Sequence, residues 1–176
     1  MILYFLRHAS AGQRQLTGDD DKRPLDKTGI EQCQQMGRML AALGAEFDAI
    51  VTSPLERAAR TAALVAQEIE FKGKISIDDA LRPEGTYDSF RQLLRRYAKA
   101  ETLMVVGHNP NLSEFLSLLI SDGSADTSIY LRKGALARVE VEGKGIPQLN
   151  WCVTPKLVRK IQESTGTSSR PKTSRK

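Results

Sequence analysis

The sequence predicts a three-layer α/β/α fold on a mainly parallel sheet, with antiparallel strands near the C-terminus. Three observations carry this expectation. Short apolar runs alternate with helical patterns from Ile2 to about Leu119, the order that a parallel sheet with helices on both faces produces. The pattern then changes to two alternating segments joined through Gly143 and Gly145, as in an antiparallel pair. Composition is that of a folded chain, 40% apolar and 27% charged over 176 residues, which excludes disorder and suits one domain.

The elements follow in order. Ile2 to Leu6 reads as a short buried strand. A polar stretch from Ser10 to Lys27 follows, punctuated by Gly12, Gly18 and Pro24. Thr28-Gly29-Ile30-Glu31 has capping-box spacing and opens a helix whose apolar positions are Ile30, Met36, Met39, Leu40 and Leu43, with Gly44 closing it. Phe47 to Thr52 is a second buried strand. Ser53-Pro54-Leu55-Glu56 starts another helix, with Ser53 as N-cap and Pro54 at the first helical position, running to about Glu70. Lys74 to Ile77 forms a third strand, and Ser89 to Ala98 a helix with Phe90, Leu93, Leu94 and Tyr97 on one side. Thr102 to Val106 is the strongest strand pattern, and Asn109-Pro110 caps a helix through Leu119. Leu136 to Val141 and Gln148 to Val153 are the antiparallel pair, and a short helix, Pro155 to Ile161, ends the domain. Residues 1–161 are thus expected to form one domain, and 162–176 a flexible basic tail.

Charge and cysteine usage exclude several classes. The net charge is +5, but the last fifteen residues hold Arg170, Lys172, Arg175 and Lys176 against Glu163. That tail contributes +3, so the body is only +2 and does not describe a nucleic-acid-binding face. Cys33 and Cys152 stand far apart in no metal-ligand spacing, which fits neither a disulfide framework nor a zinc cluster. Both thiols are expected to be buried or idle in a reducing compartment. The first apolar run is broken at once by Arg7 and His8, too short for a signal-peptide core, and nothing reaches membrane-spanning length. The expectation is a cytoplasmic protein with no membrane contact.

Chemistry concentrates at the strand ends. His8 directly follows the first strand and His108 follows the strongest strand by one glycine; they are the only histidines. In open parallel sheets ligands bind beyond the carboxyl ends of the strands. Arg7 precedes His8, and Arg57 falls in the first turn after the second strand, beside unpaired backbone N–H groups and the positive end of the helix dipole. Two arginines and two histidines converging on one cavity form a clamp for a phosphoryl group, a task the planar guanidinium fork suits. No glycine-rich phosphate loop and no dinucleotide fingerprint is present, and the run Asp19-Asp20-Asp21 reads as a solvated loop without a second carboxylate cluster to complete a metal site. With neither metal nor cofactor called for, the neutral imidazole of His8 is the best nucleophile available.

Arg7-His8-Ala9, the segment Ser53-Pro54-Leu55-Glu56-Arg57-Ala58-Ala59-Arg60-Thr61 and Gly107-His108-Asn109-Pro110 resemble the signatures of the histidine phosphatase (phosphoglycerate mutase-like) superfamily. The loop Asp20-Asp21-Lys22-Arg23-Pro24-Leu25 leading to Thr28-Gly29 resembles its SixA-type phosphohistidine phosphatases. The resemblance implies that His8 accepts the phosphoryl group and that Arg7, Arg57 and His108 bind it, with Arg23 contributing. Arg60 is left to support the fold. It further implies a phosphorylated protein substrate, a histidine phosphotransfer domain in signal transduction, or else a small phosphate ester.

Two departures qualify it. The commonest superfamily motif has Gly where this chain has Ala9, a small residue that SixA-like members tolerate. Larger members use a Glu as proton donor; here Glu84, in Arg82-Pro83-Glu84-Gly85, and Asp20 are the candidates. An alkoxide needs that proton, whereas the imidazole of phosphohistidine leaves with less help. Three readings result: a metal-independent phosphohistidine phosphatase, a small-molecule phosphomonoester phosphatase with the same site, and a non-catalytic phosphate-binding module.

Overall fold

The structure is a computed structural model and describes residues 1–13, 19–124, 127–143 and 145–166. The strands are β1 (Ile2–Arg7), β2 (Ala49–Thr52), β3 (Ser76–Ile77), β4 (Thr102–Gly107), β5 (Leu136–Glu140) and β6 (Gln148–Val153). The helices are α1 (Lys27–Ala42), α2 (Glu56–Glu68), α3 (Tyr87–Arg96), α4 (Asn111–Ile120) and α5 (Pro155–Gly166), with 3-10 turns at Asp20–Lys22 and Asp79–Leu81. One sheet runs in the order β3-β2-β4-β1-β5-β6; the first four are parallel, and β5 and β6 are antiparallel. This is the expected three-layer α/β arrangement.

Residue alternation along the strands builds both layers. Leu3 and Phe5 of β1, with Leu103 and Val105 of β4, face Phe90 and Leu93 of α3 and Phe115 and Leu116 of α4. Tyr4, Leu6, Met104 and Val106 face Cys33, Met36 and Leu40 of α1, Ala58, Ala62 and Val65 of α2, and Val158 of α5. Burying each large aliphatic or aromatic side chain contributes about 1.5–3 kcal/mol, and the rings of Phe90 and Phe115 stack with centroids 4.9 Å apart. Because β1 and β4 are neighbours and the helices after them lie on opposite faces, the chain diverges above this strand pair. Such a topological switch point opens a crevice at the carboxyl ends.

Four helix starts differ from expectation, and at α2 and α4 the polar residue also serves a neighbouring segment. The N-cap of α1 is Asp26, whose Oδ1 accepts the Gly29 N–H at 2.7 Å, so Thr28 lies inside the helix. In α2 the N-cap is Leu55 with no side-chain cap of its own, and Ser53 Oγ accepts the Leu55 N–H at 3.3 Å while also meeting His108. α4 begins after Pro110, because the Asn109 amide bonds Leu131 and Ser113. α3 starts two residues early on a capping box between Thr86 and Ser89. On α1, Ile30 and Leu43 are exposed, and the buried stripe runs through Gly29, Cys33, Met36, Gly37 and Leu40. β3 keeps only two residues of the strand expected from Lys74. α5 continues to Gly166, past the expected end at Ile161, while the rest of the basic tail and the Gly18 breaker lie outside the described residues. Cys33 is buried and free, and burial pushes its thiol up to about 11; Cys152 is free and exposed rather than buried.

Candidate active site

Backbone pairing of β1 with β4 sets the two histidines side by side. Arg7 registers with Gly107, and the N–H of His8 donates to the Gly107 carbonyl at 3.0 Å. On its other side the His8 carbonyl accepts from Gly134 N–H at 3.1 Å. Both imidazoles are buried, with centroids 4.9 Å apart. Close packing holds the segment after His8. Ala9 is fully buried, its N–H donates to Thr61 Oγ1 at 3.1 Å, and Thr61 donates to the Arg57 carbonyl at 2.7 Å. A Cβ on Gly29 would lie 1.9 Å from the Ser10 carbonyl oxygen, so only glycine lets α1 approach this backbone.

The tautomer of His8 follows from its partner. Nδ1 lies 2.8 Å from the Ala9 carbonyl oxygen, which only accepts, so Nδ1 carries the proton and Nε2 keeps its lone pair. Burial lowers the pKa of His8 to about 4, against the Ala9 hydrogen bond and with help from Arg57, Arg7 and Arg23. His108 is also held well below its ordinary value, first by burial, then by His8 and the arginines. Both rings are therefore neutral at physiological pH. His108 Nε2 is 2.8 Å from Ser53 Oγ, which already accepts the Leu55 N–H at 3.3 Å. The arrangement that satisfies both groups has Ser53 donating to Nε2, which places the His108 proton on Nδ1.

Around the imidazoles lies a cleft of about 480 Å3 lined by Arg7, His8, Arg23, Arg57 and His108, with Asp20, Asp21, Leu55, Pro83, Glu84, Asn109 and Lys133. Arg57, in the first turn of α2, is 4% exposed; one Nη donates to the Asp20 carbonyl at 2.8 Å and the other lies 3.3 Å from its carboxylate. Arg23 Nε is 3.0 Å from the same carboxylate. Arg7 donates to the Leu131 carbonyl at 2.8 Å and sits over the ring of Tyr130 at 5.7 Å. Arg7 Nε, Arg57 Nε and His108 Nδ1 are buried with no hydrogen-bond partner among the described residues. Uncompensated buried donors are costly, and a tetrahedral oxyanion satisfies several at once.

The structure thus brings together Arg7, His8, Arg23, Arg57 and His108. Glu84 lines the cleft at 69% side-chain exposure, 3.6 Å from Arg82. Asp20 lies between Arg57 and Arg23, not in a solvated loop. Arg60 is exposed on α2 and does not line the cleft. Sequence reading missed Ser53 as the partner of His108, Thr61 as the tie on Ala9, and Tyr130 and Lys133, whose loop is remote in sequence. No local signal marks any of the four. Among the described residues no three His, Cys, Asp or Glu are grouped to hold a metal ion.

Comparison with known proteins agrees with this geometry. The family model of the histidine phosphatase superfamily (branch 1) matches residues 3–92. An uncharacterised protein of Picosynechococcus sp. is 33% identical over 77% of this chain and 82% of its own length. Phosphohistidine phosphatase SixA of Escherichia coli is 23% identical over 88% of this chain and 94% of its own. Among solved structures, the protein histidine phosphatase SixA complexed with tungstate superposes with a TM-score of 0.81 at 21% identity, covering 90% of this chain and 99% of that one.

Proposed function

The chain belongs to the histidine phosphatase superfamily (branch 1), and from that premise we propose that it transfers a phosphoryl group to His8 and then to water. Its substrate is phosphohistidine on a protein such as a phosphotransfer domain. The observation that carries the reading is the His8 tautomer: Nδ1–H is donated to Ala9, which leaves an unprotonated Nε2 on a neutral ring beside three arginines.

The steps follow from that geometry. The Nε2 lone pair attacks phosphorus in line while the bond from phosphorus to the leaving nitrogen breaks. Arg7, Arg57, Arg23 and the Nδ1–H of His108 hold the charge spread over the three equatorial oxygens. The Ala9 carbonyl supports the cationic ring of phosphorylated His8 through Nδ1–H. The departing imidazole takes a proton from solvent. Water then attacks the phosphoenzyme, the P–Nε2 bond breaks, phosphate leaves and His8 returns to neutral.

Leaving-group chemistry selects the substrate. All three cleft carboxylates are engaged by arginines, Asp20 by Arg57 and Arg23, Asp21 and Glu84 by Arg82. A phosphoramidate depends on an acid less than an ester does, and the kinship with SixA, named as a phosphohistidine phosphatase, points the same way. Glu84 on the cleft wall favours a second reading, a small phosphate ester whose leaving oxygen takes its proton from the carboxylic acid form of that side chain. Pure phosphate binding would use the arginines without needing two neutral imidazoles.

Purified protein in EDTA, offered a phosphohistidine-bearing phosphotransfer domain and separately p-nitrophenyl phosphate, distinguishes these readings. The expected result is His8-dependent phosphate release, faster from the phosphohistidine protein. Rapid turnover of the ester alone would transfer the assignment to small molecules, and no His8-dependent release from either would leave a binding pocket.

A further inference from the structure

We propose that Asp20 is an internal competitor for the phosphoryl group, so that substrate enters by exchanging one anion for another on Arg57 and Arg23. The proposal rests on the reading of the cleft as a phosphoryl site and adds what sets its affinity. One Asp20 oxygen lies 3.3 Å from Arg57 and the other 3.0 Å from Arg23, while the Asp20 backbone carbonyl takes a further Arg57 N–H at 2.8 Å. A carboxylate that spans two guanidinium groups presents two oxygens, as a phosphoryl group would. It also relieves the repulsion between two cations held close together, one of them nearly fully buried.

The turn that carries Asp20 is fastened from outside the cleft. Arg82, which does not line the cleft, reaches Asp21 at 3.0 Å and Asp79 at 2.8 Å, joining the two 3-10 turns. The Asp19 carboxylate accepts the Asp21 N–H at 3.1 Å and caps the turn. Asp20 is thereby held over the arginines by contacts that do not themselves depend on substrate.

The exchange has a chemical consequence. A dianionic phosphoryl group offers these cations more charge than the carboxylate it displaces, whereas a phosphodiester or a free carboxylate offers one charge for one. Displacing Asp20 costs the same whichever anion enters, so it lowers every affinity by a common factor: a dianion still fills the site, while a monoanion falls to an affinity too weak to occupy it.

Calorimetric titration at about pH 8, where inorganic phosphate is mostly dianionic, tests this on wild type, Asp20→Asn and Arg82→Gln, with inorganic phosphate and dimethyl phosphate as probes and circular dichroism as the check on folding. Asp20→Asn is expected to bind phosphate and dimethyl phosphate each on the order of tenfold tighter, with the ratio between them unchanged. Arg82→Gln should move both affinities in the same direction by less, with no group removed from the cleft. Unchanged or weaker phosphate binding in Asp20→Asn, with wild type still binding, would overturn the competitor role alone and make Asp20 a residue that positions the arginines. Failure of wild type and both variants to bind phosphate would overturn the reading of the cleft and this proposal with it.

Discussion

At the scale of single residues, the site is defined by which atoms carry protons. A carbonyl oxygen beside His8 Nδ1 selects one tautomer, and burial keeps the ring neutral. That neutrality has a thermodynamic signature. The folded-state pKa of His8, about 4, lies below the ordinary value of 6.5, so the unfolded chain binds more protons between those limits. Stability is fully present above about pH 6.5 and falls as the pH drops towards 4, by about 3 kcal/mol at most from His8 alone. His108 is depressed in the same direction and adds to the fall. Urea unfolding of wild type and His8→Asn from pH 7.5 to 4.5 should show a shallower decline in the variant, and parallel curves would contradict the assignment. Arg7, His8, Arg57 and His108 were legible because each sits next to a strand end or helix start that pattern alone reveals. Ser53, Thr61 and Tyr130 were not, since their roles come from partners 52 or more residues away.

At the scale of elements, the sheet and helices were readable while the helix starts were not. Serine and asparagine at a helix entrance serve equally as caps and as ligands for a neighbouring segment, and only the fold decides between them. Ser53 holds His108, and Asn109 joins Leu131 to Ser113, while the N-cap residues of α2 and α4 make no side-chain caps of their own. At α1 the reverse holds. Asp26 caps the helix and also accepts the Ser10 hydroxyl at 2.7 Å, tying α1 to the strand exit that bears His8. Asp26→Ala is therefore expected to cost about 1–2 kcal/mol, and Thr28→Ala less than about 0.5 kcal/mol. Chemical denaturation of the two variants checks the order, and a larger loss from Thr28→Ala would restore the capping box that spacing alone suggested.

At the scale of the whole molecule, function follows from where the chain diverges. β1 and β4 lie side by side, their following helices pack on opposite faces, and the crevice between them receives one histidine from each strand end. Arg57 joins from the start of α2, and Arg23 from the loop before α1. The alternation of apolar runs and helices announced this architecture. The pairing of Asp20 with Arg57, across 37 positions, could not be read before the loop was seen folded over the cleft. Among the described residues no helix is long and apolar enough to cross a membrane. In the proposed reaction His8 carries the phosphoryl group, and the most direct test is to quench turnover of a phosphohistidine protein and locate the bound phosphate by mass spectrometry. The expected product is an acid-labile, alkali-stable phosphate on Nε2 of His8, absent from His8→Asn. Steady phosphate release with no label on His8, or label on another residue, would contradict it.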